Sequence, residues 1–277
     1  MLKTFSLHKV TSDVEFPFAP QDYSKFKFGS KTISRDFGTA LGEAFCDEVL
    51  PSLPDPIVVI SSPYCFIPTA TFAMKDYFIR VVNNWLAEHG RPVVEETRIH
   101  RTITYKDDYG ELSAEERFNL IKNDSFHIDA EFVEDKTLIL LDDIKITGGH
   151  ERVVERTIQD FDLGNCNRIY TYFAELTNNT VNPVVENYLN YAAVKNLLDL
   201  DKIIKNDEFI LNTRIVKFML NSSYEEFFQF ANYQCIKLLE TIYHLAIGNS
   251  YHTMDDYKQN LGLIKELINN ENYISEN

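Results

Sequence analysis

The sequence predicts an α/β fold: a parallel sheet flanked by helices, followed by an α-helical C-terminal extension. Three observations predict it. Short, continuous, largely β-branched or aromatic runs occur at 57–60, 137–141 and 168–176, the pattern of strands buried on both faces. Stretches with apolar residues at helical spacing separate them, which suits crossover helices on both sides of the sheet. After Leu176 helical patterns dominate. The chain thus divides into an α/β domain over 1–176 and a helical extension over 177–277.

Taken in order, residues 1–22 read as irregular. Phe37, Leu41, Phe45 and Leu50 recur at near-helical spacing and predict a helix over 36–50. PSLPDP stops it, and IVVI (57–60) is the first buried strand. SSPYCFIPT (61–69) is then a loop at that strand's carboxyl end. Met74, Tyr77, Phe78, Val81, Val82, Trp85 and Leu86 form one stripe of a helix over 70–89, with Gly90 as its stop. Residues 92–104 read as extended and 106–112 as a polar loop. Ser113 and Glu116 make a capping box for a short helix to Ile121. Strand 137–141, helix 150–161 and strand 168–176 complete the alternation. In the extension, Asn182-Pro183 starts a helix, Ser222 and Ser223 each precede a glutamate by three residues before a helix over 224–246, and Thr253 or Asp256 could cap a last one.

Composition narrows the function classes. The chain has 277 residues, 44% hydrophobic and 13% aromatic, enough for a sizeable core. No apolar run reaches membrane-spanning length, and the N-terminus has no signal-peptide core, so a cytoplasmic protein is expected. Cys46, Cys65, Cys166 and Cys235 are scattered, which argues against zinc and against a disulfide framework. The net charge of −15 disfavours nucleic-acid binding. It also repels a free polyphosphate, so any phosphate site must be local, built from backbone amides, a few cations or a metal.

The chemistry concentrates in LILLDDIKITGGHE, residues 138–151. Ligands of open α/β sheets bind at the carboxyl ends of the strands, where a strand ending at 141 places Asp142 and Asp143. Adjacent carboxylates can accept hydrogen bonds from two vicinal hydroxyls. The glycines of Thr147-Gly148-Gly149-His150 let backbone approach a phosphate, and the helix start offers unpaired amides. A diol and a phosphate a short distance apart describe a ribose 5-phosphate. Taken singly, the acidic pair could cap a turn and Thr-Gly-Gly could be a plain loop. No GxGxxG follows the first strand and no GxxxxGK[ST] occurs, which sets aside a dinucleotide-binding dehydrogenase and a P-loop NTPase.

The same stretch resembles the signature of type I phosphoribosyltransferases, a hydrophobic strand, an acidic pair and a Thr-Gly-Gly phosphate loop. YSKFKFGSKTISRDFGTALGEAF (23–45) and RIHRTITYKDDYGELSAEERFNLIKNDSFHI (98–128) resemble the ComF-like branch. NPVVENYLNY and NTRIVKF are similar to the tails of ComF-like proteins of tellurite-resistance gene clusters. The resemblance implies that Asp142 and Asp143 bind the ribose hydroxyls of phosphoribosyl pyrophosphate (PRPP). It implies that Ile146, Thr147, Gly148, Gly149 and His150 cradle the 5-phosphate. Ser61, Ser62, Pro63 and Tyr64 would belong to the pyrophosphate loop. Arg98, His100, Arg101 and Lys106 would lie near a mobile loop closing over pyrophosphate, with Arg101 joining the acidic pair in catalysis. Mg2+ would bridge ligand oxygens rather than sit in a protein cage.

Three positions depart from the family pattern. Ile146 stands where Thr is common. His150 replaces a terminal Thr, and could donate to phosphate or cap the helix. SSPYCFIP lacks the glycine and the base of a typical pyrophosphate loop. The basic run at 98–101 could equally be edge-strand charges, while Lys25 and Lys27 read as ordinary surface lysines. Arg214 and Lys217 could face the cleft from the tail, which would serve as a hood or a homodimer surface. Asp107 or Asp108 could be the base. The leading expectation is a transferase that moves phosphoribosyl from PRPP to an unidentified acceptor through an oxocarbenium-like transition state. A non-catalytic sensor of PRPP or a nucleotide, acting on a protein partner, is the alternative. Cleavage of a ribosyl-phosphate bond is a third.

Overall fold

A computed structural model describes residues 3–101, 126–164, 166–206 and 208–275. Its centre is a five-stranded, all-parallel sheet of order β1-β7-β6-β2-β3. In chain order the elements begin with β1 (Lys3–Val10), α1 (Pro20–Lys27), α2 (Lys31–Glu48), β2 (Ile57–Ser61) and α3 (Ala70–Glu88). Three two-residue strands follow: β3 (Glu95–Glu96), β4 (His100–Arg101) and β5 (Phe126–His127), the last two antiparallel to each other. Then come α4 (Ala130–Val133), β6 (Thr137–Lys145), α5 (Gly149–Asp160) and β7 (Arg168–Leu176). The tail is helical: α6 (Val185–Asn190), α7 (Leu197–Asn206), α8 (Thr213–Asn221), α9 (Tyr224–Ala231), α10 (Ile236–Gly248) and α11 (Asp255–Ser275). No described helix is long and apolar enough to cross a membrane.

The expected alternation over 57–176 is present, with corrections. Residues 1–22 are not irregular: β1 pairs with β7 along most of its length, from Lys3↔Ile169 to Val10↔Leu176. Its pattern is weak because it is an edge strand, with only Phe5 and Val10 buried. Pro20 then opens α1 at a position that needs no amide. Strand β6 does not stop at 141 but runs to Lys145. The helix expected over 224–246 breaks after Ala231, where Asn232 donates its amide to the Phe228 carbonyl at 2.7 Å. The expected loop at 106–112 and the capped helix at 113–121 lie outside the described residues.

Three cores result. Ile57, Val59, Ile139, Leu141 and Phe173 pack on one sheet face with Leu41, Phe45, Met74 and Phe78 of α2 and α3. Val58, Ile60, Leu138, Leu140, Tyr170 and Tyr172 pack on the other with Val154 and Ile158 of α5. The tail forms its own core around Val216, Met219, Phe227, Ile242 and Tyr257, into which Phe28 and Ile67 of the α/β part insert.

Candidate active site

The site lies where β2 stops and β6 continues. Strand β2 pairs with β6 only as far as Ser61↔Leu141, whereas β6 stays paired with β7 to Lys145↔Glu175. From Asp142 onward β6 therefore has an open edge on the β2 side, beside the loop after β2. A cleft here holds about 280 Å³ of open space, with Ser61, Ser62, Pro63, Ile99, Asp142 and His150 among its lining.

Asp142 and Asp143 are consecutive in a strand, so their side chains leave opposite faces. Asp142 Oδ1 accepts from Ser62 Oγ at 2.5 Å, from Thr71 Oγ1 at 3.3 Å and from the Asp143 amide at 2.9 Å. Its Oδ2 lies 2.7 Å from His150 Nδ1. Burial alone would push this carboxyl up. His150, then the Ser62 hydroxyl and the Asp143 side chain, outweigh it and hold the group well below the usual carboxylate range. Asp143 is buried on the α1 side, where Oδ2 accepts from the Tyr23 hydroxyl at 2.6 Å and pairs with the Lys27 ammonium. Burial, then Asp143, pushes the Tyr23 phenol far up, so it stays a donor. Thus the structure does not bring the two carboxylates onto one set of partners. Lys27 is no ordinary surface lysine: its side chain is 13% exposed. Lys25 is exposed, as expected.

The turn behind β6 is built as a helix opening. Gly148 is the N-cap of α5 at φ +66°, the left-handed region. A Cβ there would meet nothing closer than 3.6 Å, so conformation rather than space calls for glycine. Gly149, His150 and Glu151 begin α5, whose first amides have no helical acceptor. Arg152 donates to the Thr147 carbonyl at 3.0 Å and fixes the turn from outside. Ile146 packs against the first core and offers no polar group. Next to the turn, Glu151 receives the Tyr172 hydroxyl at 2.9 Å and Lys145 at 2.8 Å.

The loop after β2 is held by the tail. Asn249, at the end of α10, accepts the amides of Phe66 and Ile67 at 2.9 and 3.1 Å. Thr213 donates to the Ile67 carbonyl at 2.6 Å. Tyr64 is buried, and its carbonyl accepts the Arg101 amide at 3.1 Å. The Arg98 guanidinium lies 5.4 Å from the Tyr64 ring centre. Arg101 sits 5.9 Å from the Phe126 ring and within electrostatic reach of Tyr251 in the tail. Arg214 lies 5.8 Å from the Tyr191 ring and within reach of Tyr23. Lys106, Asp107 and Asp108 lie outside the described residues. The partners that sequence reasoning missed are Tyr23, Lys27, Thr71 and Asn249. Tyr23 and Lys27 lie in YSKFKF, which the sequence singles out only as part of the family resemblance.

The family model described as PRTase ComF-like matches residues 1–264, nearly the whole chain. The chain belongs to this phosphoribosyltransferase family. The match takes in the helical tail, so the tail is part of the family's architecture. No curated protein matches the sequence. Solved structures similar to the chain include a hypoxanthine phosphoribosyltransferase from Staphylococcus aureus, at 9% identity over 53% of this chain and 75% of that one, TM-score 0.33. Another is the hypoxanthine-guanine phosphoribosyl transferase of L. donovani, at 12% identity over 52% and 72%, TM-score 0.31. A third is the hypoxanthine phosphoribosyltransferase of Trypanosoma cruzi in complex with the product IMP, at 12% identity over 55% and 79%, TM-score 0.34. These are distant likenesses and add nothing to the family assignment.

Proposed function

We propose that the protein binds PRPP in the crevice between the ends of β2 and β6 and transfers its phosphoribosyl group to an acceptor. The observation that carries this is the juxtaposition at the open edge of β6. A left-handed Gly148 turn with open amides sits directly behind an acidic pair. Asp142 Oδ1 already holds two hydroxyls, those of Ser62 and Thr71, the kind of donor a ribose diol would bring. Asp143 keeps Oδ1 without a partner among the described residues. The ribose hydroxyls would meet Asp142 at the open edge, with Asp143 held from the other face by Tyr23 and Lys27, and the 5-phosphate would rest on Thr147 to His150.

Held at both ends, the ribose has its C1 fixed, and positioning of this kind supplies much of the rate of a group transfer. The departing pyrophosphate would lie against Ser61 to Tyr64, with Arg98 just before β4 and Arg101 within it. Among the described residues no three His, Cys, Asp or Glu side chains converge. Mg2+, as the family resemblance implies, would be held by the ligand's own oxygens and would neutralise charge on the leaving group. The tail segments NPVVENYLNY and NTRIVKF support placing the chain in the tellurite-resistance branch.

One observation favours the sensor reading. The loop that should receive pyrophosphate carries no cation, and its Phe66 and Ile67 amides are spent on Asn249 of the tail. Binding there would be felt by the helical region. Pyrophosphate release from PRPP and Mg2+, measured across a panel of nucleobases, separates the two. Release with one base, lost in Asp142→Asn/Asp143→Asn, supports the transferase. Tight binding without release from any base supports the sensor.

A further inference from the structure

The two ring nitrogens of His150 stand in different circumstances. Nδ1 lies 2.7 Å from Asp142 Oδ2. Nε2 bonds none of the described residues, and the side chain is 29% exposed. Asp142 is ionised and can only accept, so Nδ1 carries the hydrogen. In the neutral ring this leaves Nε2 a bare acceptor. In the charged ring Nε2 becomes a donor. A phosphate dianion accepts only, so it can pair with Nε2 only when the ring is protonated.

The surroundings make that proton decisive. On its own helix the ring is followed by Glu151, tied to Lys145, and by Arg152, tied to the Thr147 carbonyl. From β6 comes Asp142, and from β7 comes Tyr172, itself bonded to Glu151. The loop after β2 contributes the uncharged Ser61 and Ser62. Lys145 is shared with Glu175 of β7, itself paired with Lys9 of β1. Three carboxylates and three cations offset one another, and His150 sets the sign of the turn.

We infer that a phosphate monoester bound on the 147–150 turn takes up a proton at His150, with Asp142 as the positioning residue that orients the ring. Affinity at this site then falls as pH rises. The inference rests on the ribose 5-phosphate reading and adds a pH-dependent control to it.

The test is calorimetric titration with ribose 5-phosphate between about pH 7 and 8.5, where the monoester is already a dianion. Two buffers of different ionisation enthalpy count the protons exchanged. The wild-type protein should take up close to one proton and lose affinity by up to about tenfold per pH unit. His150→Asn keeps a donor for Asp142 but has nothing in place of Nε2. It should bind roughly ten- to hundredfold more weakly and take up no proton. His150→Gln reaches the Nε2 position with a neutral amide and should recover part of the affinity with a flat pH profile. Wild-type binding without proton uptake, or a wild-type pH profile in His150→Asn, overturns this inference and leaves the ribose 5-phosphate reading standing. No binding by folded wild-type protein overturns that reading and the inference with it.

Discussion

Adjacent carboxylates on a strand face apart, and Asp142 and Asp143 use this to serve two sides of the sheet. The pair was legible because LILLDDIKITGGHE is local: strand, acids and turn follow one another within a few residues. Its partners were not. Tyr23 and Lys27 reach Asp143 across 120 and 116 residues of chain, and no periodicity within α1 announces that contact. Lys27→Met should leave Asp143 buried with only the Tyr23 donor, at a cost on the order of 2 kcal/mol, below that of breaking a fully buried pair. The urea midpoint measures it, and an unchanged midpoint would return Lys27 to the surface. Asp142 gives a pH signature. Its folded carboxyl titrates below the unfolded value of about 3.9. Its stabilisation is therefore full above that pH and is lost as pH falls through it toward the folded value. Asp142→Asn should cost stability near about pH 7 and measurably less near about pH 3, where part of the stabilisation has been lost, as read from the urea midpoint at each pH. An equal penalty at both would contradict the paired carboxylate.

At the scale of elements, the central strands and their helices were legible from pattern alone. Strand β7 and helix α3 match their expected bounds within a residue, because each is buried enough to impose its period. Strand β1 was hidden by its place at the edge, where most side chains meet solvent. The extension of β6 past 141 was hidden by the charges of Asp142, Asp143 and Lys145, which read as loop yet pair with β7. The grip of the tail on the loop after β2 could not be read at all, since it depends on one asparagine capping α10. Asn249→Ala would strip the acceptor from two amides, one of them buried, and should destabilise the protein by about 1–3 kcal/mol. Hydrogen exchange at Phe66 and Ile67 should quicken more than exchange in β6. Uniform quickening across the sheet would show that Asn249 supports the fold at large rather than this loop.

For the molecule as a whole, the acidic balance matters most. A net charge of −15 repels an anionic ligand at long range, so recognition must come from the short-range amides and side chains of the β2–β6 crevice. The three cores converge there: the two sheet faces supply Asp142 and Asp143, and the tail core holds the loop between them through Asn249 and Thr213. The most direct measurement is calorimetric titration of the purified chain with PRPP and Mg2+, beside Asp142→Asn/Asp143→Asn of verified fold. Saturable one-to-one binding in the wild-type chain, at least about tenfold weaker in the double variant, is the predicted result. Equal affinity in both, or no binding to the folded wild-type chain, would contradict the assignment of this crevice to a phosphoribosyl group.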